Sequence, residues 1–313
     1  MSDQRKAACV IGWPVAHSRS PLIHNYWIRQ LNLDAEYRRE GVPPGQFADF
    51  ISHLRDHGYV GCNVTVPHKQ AALEVSQADD RARAVGAANT LWFDGDVLRA
   101  TNTDVEGFLA NLDSATPGWD RGLESAMVLG AGGGARAVVF ALIQRDVRRI
   151  YVVNRTIERA EALRKQFGAR VVPAGWDEIT GLLGGCGLLV NTTTRGMVGE
   201  MPLEINLRCQ DSLVVTDLVY VPLTTTLLGA ARERGLRTAD GLGMLLHQAV
   251  RGFELWFGVK PEVTPDLRAL IEADLVPASK VEAGEKKSTK ADKAIAKAIA
   301  RKKPKEPRAP RNK

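Results

Sequence analysis

No apolar run in this sequence comes near the roughly 18 residues that a membrane-spanning helix needs. The start, Met1-Ser2-Asp3-Gln4-Arg5-Lys6, also lacks the apolar core of a secretory leader. Cysteine is scarce. Cys9, Cys62, Cys186 and Cys209 are scattered, sit mostly in apolar settings and form no Cys-x-x-Cys pair. That argues against a disulfide framework and against a metal site, and fits buried thiols in a reducing cytoplasm. The folded part lacks an excess of positive charge as well. The formal net charge is +6, yet Lys280 to Lys313 hold 13 Lys or Arg against 4 Asp or Glu, a net +9 that leaves −3 for the rest. A mildly acidic body offers no nucleic-acid-binding surface.

What is present is ordinary for a globular protein: 44% apolar and 25% charged residues over 313 positions. That length is enough for about two domains. Ala7-Ala8-Cys9-Val10-Ile11, ending at Gly12 and Pro14, reads as a buried first strand. After His17-Ser18-Arg19-Ser20-Pro21, the residues Leu22, Ile23, Tyr26, Trp27 and Leu31 recur at helical spacing. Ser20 is expected as the N-cap and Pro21 as the first helical residue. Ala35 to Arg39 then reads as a strand, Gly45 to His57 as a helix and Tyr59 to Val66 as a strand. The alternation predicts an α/β fold with a mostly parallel sheet covered on both faces.

One stretch stands apart, Gly61-Cys62-Asn63-Val64-Thr65-Val66-Pro67-His68-Lys69. Its period-2 alternation places Asn63 and Thr65 on one face of a strand. Pro67 then opens the next element, with Lys69 on its first turn. A Lys beside an amide and a hydroxyl at a strand's carboxyl end is either a site or a buried strand closed by a solvated Lys. Further on, Asn102-Thr103-Asp104 precedes a helix whose apolar face includes Val105, Phe108, Leu109 and Leu112. A carboxylate at that helix start is favoured by the dipole, as a cap or as a functional group.

The turn-rich segment Ser114 to Gly122 marks a boundary. Beyond it, the strand Ser125 to Leu129 feeds Gly130-Ala131-Gly132-Gly133-Gly134-Ala135, a G-x-G-x-x-A turn opening a helix, and the strand Ile150 to Val153 follows at the right interval. Such a turn lets backbone N–H groups approach a pyrophosphate. At the end of the second strand an NAD site usually carries an acid for the ribose hydroxyl. Here stand Asn154-Arg155-Thr156 and, one turn later, Arg159. The missing acid and two guanidinium groups favour NADP. Asn191 to Met197 and Asp217 to Pro222 leave the ends of two more strands, where open α/β sheets bind ligands. Thr224 to Arg234 reads as a helix, and another begins at Gly241. On it Met244 is read as core and Gln248 as facing the cleft. From about Val276 the chain turns rich in Lys, Ala and Pro, which predicts disorder with transient helix near Lys290 to Lys302.

Taken together, these blocks resemble the shikimate dehydrogenase family, enzymes that reduce 3-dehydroshikimate with NADPH. They are Gly12 to Asn25, Gly61 to Lys69, Gly86 to Thr90, Asn102 to Asp104, Gly130 to Ala137, Asn154 to Thr156, Asn191 to Met197, Asp217 to Pro222 and Gly241 to Gln248. The resemblance implies a discontinuous α/β substrate domain (1–113 and 240–275), a Rossmann-like NADP domain (114–239) and a separate tail (276–313). It implies that Ser18, Ser20 and Tyr220 grip the substrate carboxylate and that Asn63, Thr65, Asn89, Asp104 and Gln248 hold its hydroxyls. Lys69 and Asp104 match the family's catalytic pair. Gly130, Ala131, Gly132, Gly133, Gly134, Asn154, Arg155, Thr156 and Arg159 match its NADP site. Leu218 and Gly241 fall on the nicotinamide side, and Asp80 is a further match to that site. One departure is that Val105 and Glu106 precede Gly107, where the family usually follows Asn-Thr-Asp directly with Gly. The partners expected are the small substrate and NADP, with neither membrane nor specific nucleic acid, for a cytoplasmic monomer or homodimer. Two alternatives stand beside this: a quinate/shikimate dehydrogenase of relaxed specificity, and a noncatalytic NADP-sensing or polyanion-binding protein that uses its basic tail.

Overall fold

The computed structural model describes residues 5–275, apart from Cys209. The tail from Val276, with its expected disorder and transient helix, lies outside the described residues. The chain divides into Met1–Ile271, treated below, and Glu272–Lys313, of which only the end of the last helix is described. Among the described residues no helix is long and apolar enough to cross a membrane.

The first part of the chain runs β1 (Lys6–Gly12), α1 (Ser20–Gln30), β2 (Ala35–Gly41), α2 (Phe47–Ser52), β3 (Tyr59–Val64) and α3 (Lys69–Glu74). Then follow β4 (Gln77–Ala78), α4 (Asp80–Val85), β5 (Thr90–Asp94) and β6 (Val97–Thr101). Their six strands lie in the order β2-β1-β3-β5-β6-β4. β1 is parallel to β2 and β3, whereas β5 is antiparallel to β3 and β6. Five of the six strands run the same way, so the sheet is mostly parallel as expected, with β5 alone reversed. The cause is local: Asp94 pairs with Val97, and a two-residue Gly95-Asp96 connection can join only antiparallel neighbours.

Helix starts in this part also differ from the sequence expectation. Ser20 is itself the first residue of α1; Arg19 occupies the N-cap without a side-chain bond, and Ser18 Oγ accepts the Ser20 N–H at 3.3 Å. Pro67 lies in the turn before α3, so Lys69, not Pro67, opens that helix. The helix expected over Gly45 to His57 is only α2, preceded by one 3₁₀ turn.

After α5 (Asp104–Ala115) come β7 (Ser125–Leu129), α6 (Gly133–Gln144), β8 (Arg149–Val153), α7 (Ile157–Phe167) and β9 (Val171–Ala174). The chain continues with α8 (Ile179–Leu183), β10 (Leu188–Asn191), β11 (Val214–Asp217), α9 (Thr226–Glu233) and β12 (Arg237–Ala239). All six strands are parallel, ordered β12-β11-β10-β7-β8-β9. β7 is buried on both faces: Ala126 and Val128 join the apolar layer of Phe108, Val138 and Leu142, and Met127 and Leu129 join that of Leu189, Val215 and Leu228. Each fully buried Val or Leu contributes about 1.5–3 kcal/mol. The strand order reverses between β7 and β10, and at such a switch point the chains diverge to leave a ligand crevice.

α10 (Gly241–Phe257) carries the chain back to the first sheet, and α11 (Pro265–Leu275) ends the described part. Trp256 Nε1 donates to the Leu91 carbonyl at 2.8 Å, and Phe253 packs on Trp27 and His24. α10 also lies close against α5. A Cβ at Gly107 would sit 2.6 Å from the Gln248 Cβ and 2.8 Å from the Met244 carbonyl. Glycine at 107 is what allows this approach, and the approach brings Gln248 to the cleft. Val105, the departure noted above, is 1% exposed and packs in the core.

Candidate active site

A cavity of about 300 Å³ opens beside the carboxyl ends of β1 and β3. Ser18, Ser20, Asn63, Thr65, Lys69, Asn89, Asp104 and Gln248 line it from the first sheet and its helices, and Gly134, Leu218, Tyr220 and Gly241 from the second sheet's side. All eight residues expected to hold substrate are therefore gathered in one place, together with Lys69. Inside it, Lys69 Nζ donates to Asp104 Oδ2 at 2.5 Å, both side chains being largely buried. The pair has a direct backbone origin, since Lys69 opens α3 and Asp104 opens α5.

Buried amides hold this pair. Asn89 Nδ2 donates to Asp104 Oδ1 at 2.9 Å, and Asn89 Oδ1 accepts the Thr103 N–H at 2.8 Å. Asn63 Oδ1 accepts from the Tyr37 hydroxyl at 2.6 Å, and its Nδ2 donates to Thr90 Oγ1 at 3.1 Å. Tyr37 in turn stacks on His24 at 4.1 Å between centroids. Thr103 Oγ1 reaches Gln248 Oε1 at 3.4 Å.

The Ser18 end is fixed by Arg39, whose Nε and Nη2 donate to the Ser18 carbonyl at 2.9 and 2.7 Å. Burial pushes the Tyr220 phenol up, with the Arg19 charge acting the other way, so its hydroxyl stays a donor suited to a carboxylate. The loop bearing Leu218 and Tyr220 hangs from buried Asp217, which accepts from Asn191 Nδ2 (2.8 Å), the Val219 N–H (3.0 Å) and Thr225 Oγ1 (2.8 Å). Burial raises the Asp217 carboxyl, opposed by those three bonds. Met244, read from sequence as core, both packs on the core and lines the cavity.

The dinucleotide end lies at the switch point. Gly130 has φ +104, and a Cβ there would meet Thr192 Oγ1 at 2.7 Å, so the turn requires glycine. Gly132 and Gly133 are open, with nothing within 4 Å of a built Cβ. α6 starts at Gly133 with Gly132 as an N-cap that offers no side-chain bond, which leaves its first N–H groups for an anion. At the end of β8, Asn154 Nδ2 donates to the Thr156 carbonyl at 2.7 Å, shaping the loop. Arg155 and Arg159 are exposed, and among the described residues neither guanidinium is taken up by a carboxylate. These groups fit a phosphorylated dinucleotide. Asp80 is not brought to the cleft. Its carboxylate is fully exposed, pairs with Arg83 at 2.7 Å and borders a separate surface hollow.

The sequence reading did not pick out Arg19 and His17, which line the cavity and a neighbouring one shared with Thr192 to Thr194. Their position flanking Ser18, just ahead of the helix that Ser20 opens, was the available signal. Cys9, Cys62 and Cys186 are free and buried, and burial pushes the Cys186 thiol up to about 11.

A doubly wound parallel sheet with a glycine turn at its switch point, beside a cavity holding a Lys–Asp pair, defines a dinucleotide-dependent oxidoreductase. Family models of the shikimate dehydrogenase substrate binding domain, shikimate / quinate 5-dehydrogenase and the shikimate 5'-dehydrogenase C-terminal domain match residues 10–91, 120–198 and 241–271. A shikimate dehydrogenase (NADP(+)) of Rhodopseudomonas palustris strain TIE-1 is 63% identical over 278 residues, 88% of this chain and 100% of that protein. The chain belongs to the shikimate dehydrogenase family. Among solved structures, a shikimate 5-dehydrogenase from Thermus thermophilus in complex with NADP(H) and shikimate is 34% identical with a TM-score of 0.74, covering 86% of this chain and 99% of that one. A quinate dehydrogenase from Corynebacterium glutamicum in complex with NAD is 29% identical with a TM-score of 0.78, covering 85% and 98%.

Proposed function

We propose that Lys69 and Asp104 form the acid–base pair of this chain's reaction, the reversible NADPH-dependent reduction of 3-dehydroshikimate to shikimate. The observation that carries this reading is the 2.5 Å Lys69–Asp104 contact inside the cavity that also gathers Ser18, Ser20 and Tyr220. Bound NADPH supplies a hydride to the substrate's C3 carbonyl. As negative charge develops on that oxygen, the Lys69 ammonium stabilises it and delivers a proton. In the direction of oxidation, Lys69 takes the proton back from the hydroxyl. Asp104 orients the amine. Ser18, Ser20 and Tyr220 hold the carboxylate, while Asn63, Thr65, Asn89 and Gln248 hold the hydroxyls. Gly130 to Gly134 and the α6 start receive the pyrophosphate, and Asn154, Arg155, Thr156 and Arg159 receive the 2′-phosphate.

In this reading residues 1–113 and 240–275 form the substrate part and 114–239 the NADP part. The six strands of each sheet fall within those bounds, and α10 packs on α5 and β3. The enzyme acts in the cytoplasm as a monomer or homodimer.

Steady-state oxidation of shikimate and of quinate, each with NADP and NAD, tests the function. Shikimate with NADP is expected to give a kcat/KM about 100-fold above shikimate with NAD. Removing both guanidinium groups (Arg155→Ala with Arg159→Ala) is expected to lower kcat/KM with NADP by about 100-fold and leave NAD within about threefold. Equal use of NAD by the unaltered enzyme, or quinate as the better substrate, would replace this reading with the quinate dehydrogenase one.

A further inference from the structure

We propose that Asn102 is the positioning residue for Asp104, and through it for Lys69; this rests on the acid–base reading above. Asn102 does not line the cavity and is 1% exposed. Its Oδ1 accepts the Asp104 N–H at 3.1 Å, and its Nδ2 donates to the Ala87 carbonyl at 2.9 Å. A backbone N–H only donates and a carbonyl only accepts, so these partners determine which way the amide faces.

One planar group therefore ties the start of α5 to the Gly86–Asn89 segment. That segment meets the catalytic pair at two more points. The Ala88 N–H donates to the Lys69 carbonyl at 2.8 Å, and Asn89 Nδ2 donates to Asp104 Oδ1 at 2.9 Å. With the Lys69–Asp104 contact the bonds close into a ring: Lys69 to Ala88, Ala87 to Asn102, Asn102 to Asp104, and Asp104 back to Lys69. Thr103, at the N-cap of α5, makes no side-chain cap bond, so Asn102 supplies the acceptor that the first helical N–H needs. Without the Asn102 amide, the Asp104 N–H and the Ala87 carbonyl both lose their partner, and the helix start is free to drift against Asn89. Catalysis that depends on near-contact geometry is sensitive to drifts of under an ångström.

Asn102→Ala removes both bonds, and Asn102→Ser restores an acceptor for the same short turn. Turnover is expressed per NADPH-binding site, counted by fluorescence titration, so that a loss of folded protein does not enter. Asn102→Ala is expected to lower kcat by about 30-fold and Asn102→Ser by no more than about fivefold, with the KM for NADP unchanged in both. An Asn102→Ala enzyme within about threefold of normal, or Asn102→Ser as impaired as Asn102→Ala, overturns the proposal. So does a KM for NADP that climbs with the loss in kcat, which would mark a general defect in the fold. Lys69→Ala runs alongside. Full activity there strikes the acid–base reading itself, whereas an inactive Lys69→Ala beside an unimpaired Asn102→Ala removes only the positioning role.

Discussion

Lys69→Ala is expected to reduce kcat for shikimate oxidation by about 10³-fold, within the range that a positioned acid–base group supplies. The loss combines two effects. The amine that takes the hydroxyl proton is gone, leaving only the weakly basic Asp104 carboxylate, and no ammonium remains to stabilise charge on the oxygen. Shikimate affinity, measured by calorimetry on the variant without turnover, is expected to stay within about threefold. The reason is the number of other groups in the cavity: Ser18, Ser20, Tyr220, Asn63, Asn89 and Gln248 all line it and remain in the variant. Asp104 keeps its bond from Asn89 Nδ2, so the variant site retains one partner for the carboxylate. A variant with near-normal turnover would end the assignment of Lys69. One that loses shikimate binding altogether would make Lys69 a binding residue rather than an acid–base group.

Local signals carried most of what the sequence reveals about this site. The Gly130 turn between a strand and a helix, and the missing acid after β8, each depend on a few adjacent residues, and both stand as read. Lys69 and Asp104 were each visible as a charged residue at an element's start. That they touch, at 2.5 Å, is a fact of the sheet, because β3 and β5 pair through Asn63 and Thr90 and bring the two helix starts to the same end of it. Pairing across the sheet is long-range, and periodicity does not report it. The one reversed strand of the first sheet shows the same limit. Asp94-Gly95-Asp96 turns β5 back into β6, and the alternation of strands and helices around it does not report that reversal. The buried amides Asn89 and Asn102 look like ordinary loop residues until their partners are known. Asp80 shows the reverse case, since its match to the family's site meets a carboxylate that is fully exposed beside Arg83.

His24 is expected to make the enzyme acid-sensitive well above the range in which most carboxylates titrate. The ring is fully buried, stacks on Tyr37 at 4.1 Å and Phe253 at 6.0 Å, and among the described residues neither of its nitrogens has a hydrogen-bond partner. Asn63 is its polar neighbour and favours the charged form slightly, but burial dominates and lowers the imidazole from 6.5 to about 3. A group depressed in the folded state stabilises the fold above its unfolded pKa and loses that contribution as pH falls toward the folded one. The unfolded chain takes up the proton near 6.5, and the folded chain refuses it until about 3. The full difference is on the order of 5 kcal/mol, and about 2 kcal/mol of it is already lost by about pH 5. His247, also lowered by burial, acts in the same sense, while Asp217, raised by burial, acts in the opposite one. The measurement is therefore a difference: urea unfolding from about pH 7.5 to about pH 4.5 for the unaltered protein and for His24→Phe, which keeps a flat ring against Tyr37 and cannot titrate. The unaltered protein is expected to lose about 2 kcal/mol more than the variant between about pH 7 and about pH 5. Parallel curves would mean that His24 is protonated, or reaches water, in the folded state, and Tyr37, which bonds the cavity-lining Asn63, would then not stack on a dry, neutral ring.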